Sequence, residues 1–159
     1  MRLHGRHLNE VSASTVGELT AAVGNSAVDK ILLAAGTYEL TSDMCTGSAV
    51  CISRTLTIEA EVHGAVVLNA MGARRVFDIQ SGGTAELIGL NITGGFVYLV
   101  QSARLLNPLR HFLQCPDGTL CAPLFGLQGG GVFVSSNGVA NFESCNIHDN
   151  TAGAVRLHL

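Results

Sequence analysis

GGGVFVSSNGVANFESCNIHDNTA, residues 129–152, sets short alternating apolar runs beside the triplet His148-Asp149-Asn150. That triplet is either a reactive cluster or a corner of the backbone, and the choice decides the fold. A shift of 55 residues lays the stretch over FDIQSGGTAELIGLNITGG, residues 77–95. Phe77 then meets Val132, Ile79 meets Val134, Ala85 meets Ala140, Leu87 meets Phe142, Leu90 meets Cys145 and Ile92 meets Ile147. All six pairs are apolar, whereas Gln80/Ser135, Glu86/Asn141, Asn91/Asn146 and Thr93/His148 between them are polar; only Asp78/Phe133 breaks the alternation. A period of two marks short strands with one buried face.

The turns repeat as well. Gly82-Gly83 falls on Asn137-Gly138 and Gly94-Gly95 on Asp149-Asn150, all residue types that tolerate positive φ. Strand-turn-strand units of this size cannot bury a core alone, but stacked coils share each inward face with two neighbours. Phe77, Ile79, Leu87, Leu90, Ile92, Val132, Val134, Phe142, Cys145 and Ile147 are the expected core. ILLAAGTYEL (31–40), TLTIEAE (55–61) and AVVLNA (65–70) have the same texture without a clear register. Residues 96–128 read as a long loop insertion, with a short helix at VQSARLLNPLRHFL or part of a further rung. Near the front, Thr15-Val16-Gly17-Glu18 fits a capping box, so residues 15–23 are expected to form a short helix that closes the first open rung. Residues 1–13 read as a tail and 14–159 as one domain.

Composition narrows the class. A chain of 159 residues supports one domain with a core, and 47% hydrophobic residues argue against disorder. Nine Lys and Arg scattered along a chain of net charge −3 give no basic stripe for nucleic acid. Residues 96–113, the most apolar candidate for a membrane span, are broken by Arg104, Pro108 and Arg110. The start, MRLHGRHLNEVSAS, carries charges but no apolar run after them, so no signal peptide is visible.

Cys45/Cys51 and Cys115/Cys121 each enclose five residues of loop-like sequence. Zinc favours a gap of two to four residues, so local disulfides are the favoured reading, ahead of free thiols and a metal site. Each bridge would contribute about 2–3 kcal/mol and imply an oxidising compartment. Cys145 has no partner in this pattern and reads as a small buried apolar thiol.

TVGELTAAVGNSAVDKILLAAGTYEL and RVFDIQSGGTAELIGLNITGG resemble the opening and a middle coil of the pectin lyase-like superfamily, and residues 147–155 resemble the repeat of polymorphic outer-membrane-type proteins. The resemblance implies an all-β, single-stranded right-handed parallel β-helix, a solenoid with an N-terminal capping helix. The superfamily includes polysaccharide lyases, polygalacturonases, tail spikes and non-enzymatic adhesins, so the site and not the fold selects the activity.

A lyase of this kind needs calcium-binding carboxylates and an Arg or Lys base on one groove, because the metal acidifies the proton that the base removes. The candidates are Asp78, Glu86, Arg74, Arg75, His148 and Asp149. The repeat sets Asp78 against Phe133, Glu86 against Asn141, and Arg74 and Arg75 against Gly129 and Gly130, so no acidic ladder forms between these two rungs. A hydrolase needs clustered Asp residues, yet Asp29, Asp43, Asp78, Asp117 and Asp149 are far apart in sequence. Adjacent residues at a strand end point apart, so His148-Asp149 reads as an exposed turn and not an acid-base pair. His4, His7, His63, His111 and His158 show no metal spacing. Asn91-Ile92-Thr93 matches the N-glycosylation acceptor pattern, but stacking of Asn91 and Asn146 favours hydrogen bonding between coils.

The expectation is a non-catalytic extracellular or cell-surface module with a structural, adhesive or carbohydrate-binding role. It needs no cofactor or metal, and its partner is a polysaccharide or cell-surface glycan. The alternative is a polysaccharide-active enzyme, a calcium-dependent lyase before a hydrolase. Two carboxylates and an Arg or Lys converging on the outer face of neighbouring coils, within hydrogen-bonding or metal-ligand reach, would sink the non-catalytic reading. The chain stops at AGAVRLHL, where another rung begins; a truncated β-helix is therefore expected, with an uncapped end open to end-to-end self-association.

Overall fold

The structure, a computed structural model, describes residues 9–101 and 130–156. A strand, β1 (Glu10–Ala13), precedes the helix α1 (Val16–Gly24). Then follow β2 (Lys30–Leu33), β3 (Gly36–Glu39), β4 (Ser48–Ile52), β5 (Thr55–Ala60), β6 (Val66–Asn69), β7 (Arg75–Ile79), β8 (Thr84–Ile88), β9 (Leu90–Thr93) and β10 (Phe96–Gln101). Last come β11 (Val132–Val134), β12 (Val139–Glu143), β13 (Asn146–Ile147) and β14 (Thr151–Arg156).

Every pairing between these strands is parallel. The sheets run β1-β2-β5-β8-β12, β3-β6-β9-β13 and β4-β7-β11, and β10 pairs with β14. Apart from β1 and β2, consecutive strands thus fall in different sheets. The class is all-β with parallel sheets.

Register follows from burial. Ile31, Ile58, Leu87 and Phe142 stand in one column, Tyr38, Leu68, Ile92 and Ile147 in a second, and Val50, Phe77 and Val132 in a third. A slip of one residue would turn each strand's apolar set to the solvent. The 55-residue repeat is the register itself, since Phe77/Val132, Ile79/Val134, Ala85/Ala140, Leu87/Phe142 and Ile92/Ile147 are all facing pairs.

Of the expected core, Phe77, Ile79, Leu87, Leu90 and Ile92 are fully buried. The other half differs. Val134, Phe142 and Ile147 are 41%, 42% and 46% exposed, and Val132 and Cys145 are half-buried. These residues lie on or beside β11, β12 and β13, each the last strand of its sheet among the described residues, so within those residues their side chains have a neighbouring strand on one side only.

At the other end, α1 lays Leu19, Ala22 and Val23 on the core. Thr15 caps it: its hydroxyl accepts from the Glu18 amide at 3.2 Å, while Glu18 Oε2 accepts from the Ser14 and Thr15 amides at 2.8 and 3.1 Å. The expected capping box is therefore present at Thr15 and Glu18, and the helix runs one residue later than the expected 15–23. Arg54, between β4 and β5, reaches across to the helix exit. Its guanidinium donates to the carbonyls of Val23 at 3.2 Å and Asn25 at 2.9 Å, and also to that of Val28. The Val23 carbonyl is one that a helix end leaves without an intrahelical partner, while that of Asn25, the C-cap residue, also accepts from the Val28 amide at 3.1 Å.

Two boundaries differ from the sequence reading. Residues 10–13, read as tail, pair with β2; the segment is too short to show a period before the register is known. Residues 96–101, read as the start of a loop insertion that could instead hold strand, pair with β14, so the alternative holds at this end of the insertion and the strand takes Val100 and Gln101 from the expected helix. The remainder of the insertion, with Cys115 and Cys121, lies outside the described residues.

Candidate functional site

The corner at His148-Asp149-Asn150 is built by backbone geometry. Asn137, Ser144 and Asp149 have φ of 64°, 53° and 51°, and the residues 55 positions earlier, Gly82, Gly89 and Gly94, have 82°, 71° and 64°. Each left-handed position therefore stacks on another, and the Gly89/Ser144 pair adds to the two turns read from sequence. Gly83, Gly95 and Gly138 serve by close approach: a side chain there would press on backbone carbonyls of the adjoining layer. Asn150 replaces a glycine with side-chain bonds, its Nδ2 donating to the Ile92 and His148 carbonyls at 2.9 and 2.8 Å and its Oδ1 accepting from the Gly95 amide at 2.8 Å.

One expectation about this corner is corrected. His148 Nδ1 lies 2.8 Å from Asp149 Oδ2, so the adjacent side chains do meet. The left-handed turn at Asp149 curls its carboxylate back over the preceding residue, which a strand end would not do. Both side chains are exposed, at 42% and 84%.

Asn91 and Asn146 face each other in register. Asn91 Nδ2 bonds to the Gly64 carbonyl at 2.7 Å and joins layers through the backbone. Cys145 is a half-buried free thiol whose Sγ donates to the Leu87 carbonyl at 3.1 Å.

The outer face of the five-stranded sheet carries the first polar assembly. Lys30 Nζ lies 3.0 Å from Glu10 Oε2 and 2.9 Å from Glu59 Oε2, bridging β1, β2 and β5. Further along, Thr57 donates to Glu86 Oε2 at 3.0 Å, and Asn141 continues the column. The sequence reading missed this trio because Glu10 lay in the supposed tail. By distance it meets the condition set against the non-catalytic reading. Chemically it runs the other way, because hydrogen bonds from Lys30 to Glu59 and then Glu10 raise the lysine pKa. A base must shed its proton near neutral pH.

The outer face of the three-stranded sheet carries the second assembly. Cys45 and Cys51 form a disulfide with Cα atoms 6.2 Å apart. Cys51 faces Asp78, which faces Phe133. The Arg75 guanidinium sits 5.2 Å over the Phe133 ring, and Arg74 pairs with Asp43 at 2.8 Å. Burial raises the Asp78 pKa, with Arg75 acting against it. Glu86 is on the other sheet, so Asp78, Glu86, Arg74, Arg75, His148 and Asp149 do not form one group. Among the described residues, Cys45, Cys51 and Asp78 form a set of three donors close enough to share an ion. Asp117 and His4, His7, His111 and His158 lie outside the described residues.

Comparison with known proteins adds little. The chain is similar to (+)-borneol dehydrogenase 1 of Salvia officinalis at 28% identity over 64 residues, 40% of this chain and 25% of that protein. It thus spans a quarter of the length of the curated relative it matches, too little to show a family. No family model and no solved structure matches. Among the described residues, no helix is long and apolar enough to cross a membrane.

Proposed function

We propose that the chain is a right-handed parallel β-helix of the pectin lyase-like type, working as a non-catalytic extracellular or cell-surface module with a structural, adhesive or carbohydrate-binding role. The cyclic order of the parallel sheets, the unbroken inward columns and the capping helix support the fold. The Cys45–Cys51 bridge supports an oxidising compartment. One observation carries the non-catalytic reading: on the outer face, the lysine that would serve as base is held protonated by the same two carboxylates that would have to bind calcium.

The enzymatic reading has the convergence of Glu10, Lys30 and Glu59 in its favour. Incubation with polygalacturonate and with alginate, each with and without calcium, separates the two by the ultraviolet absorbance of unsaturated products. No rise is expected. A calcium-dependent rise that Lys30→Met abolishes would establish a lyase and overturn the non-catalytic reading. Apolar Val134, Phe142 and Ile147, exposed on strands that pair on one side only among the described residues, support end-to-end self-association.

A further inference from the structure

We propose that Cys45, Cys51 and Asp78 form a redox-gated site for a thiophilic divalent cation such as zinc, closed while the disulfide stands and open in the dithiol form. One Sγ from each cysteine and one carboxylate oxygen of Asp78 lie within 4.8 Å of one another. A tetrahedral zinc with bonds of about 2.0–2.3 Å places its ligands about 3.5 Å apart, so side-chain rotations alone bring these three atoms onto one centre.

The backbone keeps the donors together after reduction. Cys51 lies on β4 directly opposite Asp78 on β7. Cys45 is tied to β4 by an antiparallel bridge, in which the Ser48 amide donates to the Cys45 carbonyl at 3.0 Å and the Met44 amide to the Ser48 carbonyl at 3.0 Å. Opening the sulfur bond therefore leaves the loop held by hydrogen bonds. Three protein donors leave a fourth position for water or a small ligand, as in open zinc sites.

The second observation is the state of the carboxylate. Asp78 Oδ1 is buried and has no hydrogen-bond partner among the described residues, and Oδ2 lies 3.8 Å from a disulfide sulfur that carries no proton to give. A buried acceptor in that position is costly unless a donor or cation reaches it. Two thiolates and a carboxylate supply three negative charges, enough to bind a divalent ion despite the Arg75 guanidinium nearby. All three residues are half-buried and so open to a small reductant and a hydrated ion.

The chemistry balances. A dithiol reductant gives two electrons and two protons to the Cys45–Cys51 bond and leaves as its own cyclic disulfide. The metal then displaces both thiol protons to solvent, with Asp78 bound as carboxylate.

Cobalt(II) is the probe, because thiolate-to-cobalt charge transfer is visible in the near ultraviolet. The full chain is titrated oxidised, and again after reduction with dithiothreitol and its removal under anaerobic conditions, with circular dichroism recorded in both states. Expected is a one-equivalent charge-transfer band in the reduced protein that is lost in Cys51→Ser and bound at least tenfold more weakly in Asp78→Asn. A band of equal strength and affinity in both variants would place the metal on other cysteines and overturn the proposal. Absence of any band in folded reduced protein, or loss of the strand signal on reduction, would overturn it as well.

Discussion

At the scale of single residues, this chain shows how a backbone requirement can outlast the side chain that met it. Gly89 and Ser144 occupy the same left-handed position, and an L-residue there costs about 1 kcal/mol that glycine avoids. Ser144→Gly is therefore expected to stabilise the protein by about 0–0.6 kcal/mol after the glycine's extra unfolded-state entropy, read as a shift of the urea midpoint. Tyr38 is the opposite kind of residue, fixed by its polar tip. Its hydroxyl lies 2.9 Å from the Ala13 carbonyl and 3.0 Å from that of Ala34, in a nearly buried position. Tyr38→Phe is expected to cost about 1–2 kcal/mol at neutral pH. Burial raises the Tyr38 pKa above 10.0, so the folded chain keeps its phenol proton when the unfolded chain has released it. That contribution is whole below pH 10 and is lost as the pH rises through the folded value. Unfolding followed between pH 8 and 11 should show a shallower alkaline decline in Tyr38→Phe than in the parent.

The helix is where element-scale forces are clearest. Nine residues make a marginal helix alone, and α1 is held by its capping box, its apolar face and Arg54 at its exit. Arg54→Met keeps much of the aliphatic stem and removes the donors, leaving the Val23 and Val28 carbonyls to find water while that of Asn25 keeps the Val28 amide. The expected loss is about 2–3 kcal/mol in equilibrium denaturation. Glu18 reports on the other end. Hydrogen bonds from the Ser14 amide and hydroxyl, and then from Thr15, lower its pKa below 4.5 in the folded chain. A lowered carboxylate contributes stability above the unfolded value and loses it as the pH falls through the folded one. Melting temperatures from pH 3 to 7 should therefore fall less steeply in Glu18→Gln; an unchanged acid slope would remove the box from the account.

At the scale of the whole molecule, the two ends of the stack differ. One is closed by α1; at the other, the described strands end on β11, β12 and β13 with apolar side chains bare. Sedimentation at tens of micromolar should show reversible association that Phe142→Lys reduces, while a monomer at every concentration would remove the end-to-end proposal. The repeat, the inward residues of the buried layers, the capping box and the corner at 148–150 were legible in the residues, because periods of two and αL-tolerant turns are local consequences of side-chain size and backbone sterics. Strand β1 was not, since four residues carry no period, and neither was the helix clasp by Arg54, since nothing in its neighbourhood says which carbonyls lie across the fold. The same limit hid both outer-face assemblies. Glu10, Lys30 and Glu59 meet through register, as do Cys51 and Asp78, and register between layers depends on loop lengths that no local pattern encodes. Local sequence thus determined which side of each strand faces inward and where the chain turns. Only the tertiary structure decided which polar groups share the outer faces, because stacking brings together residues whose sequence separation carries no information about their contact.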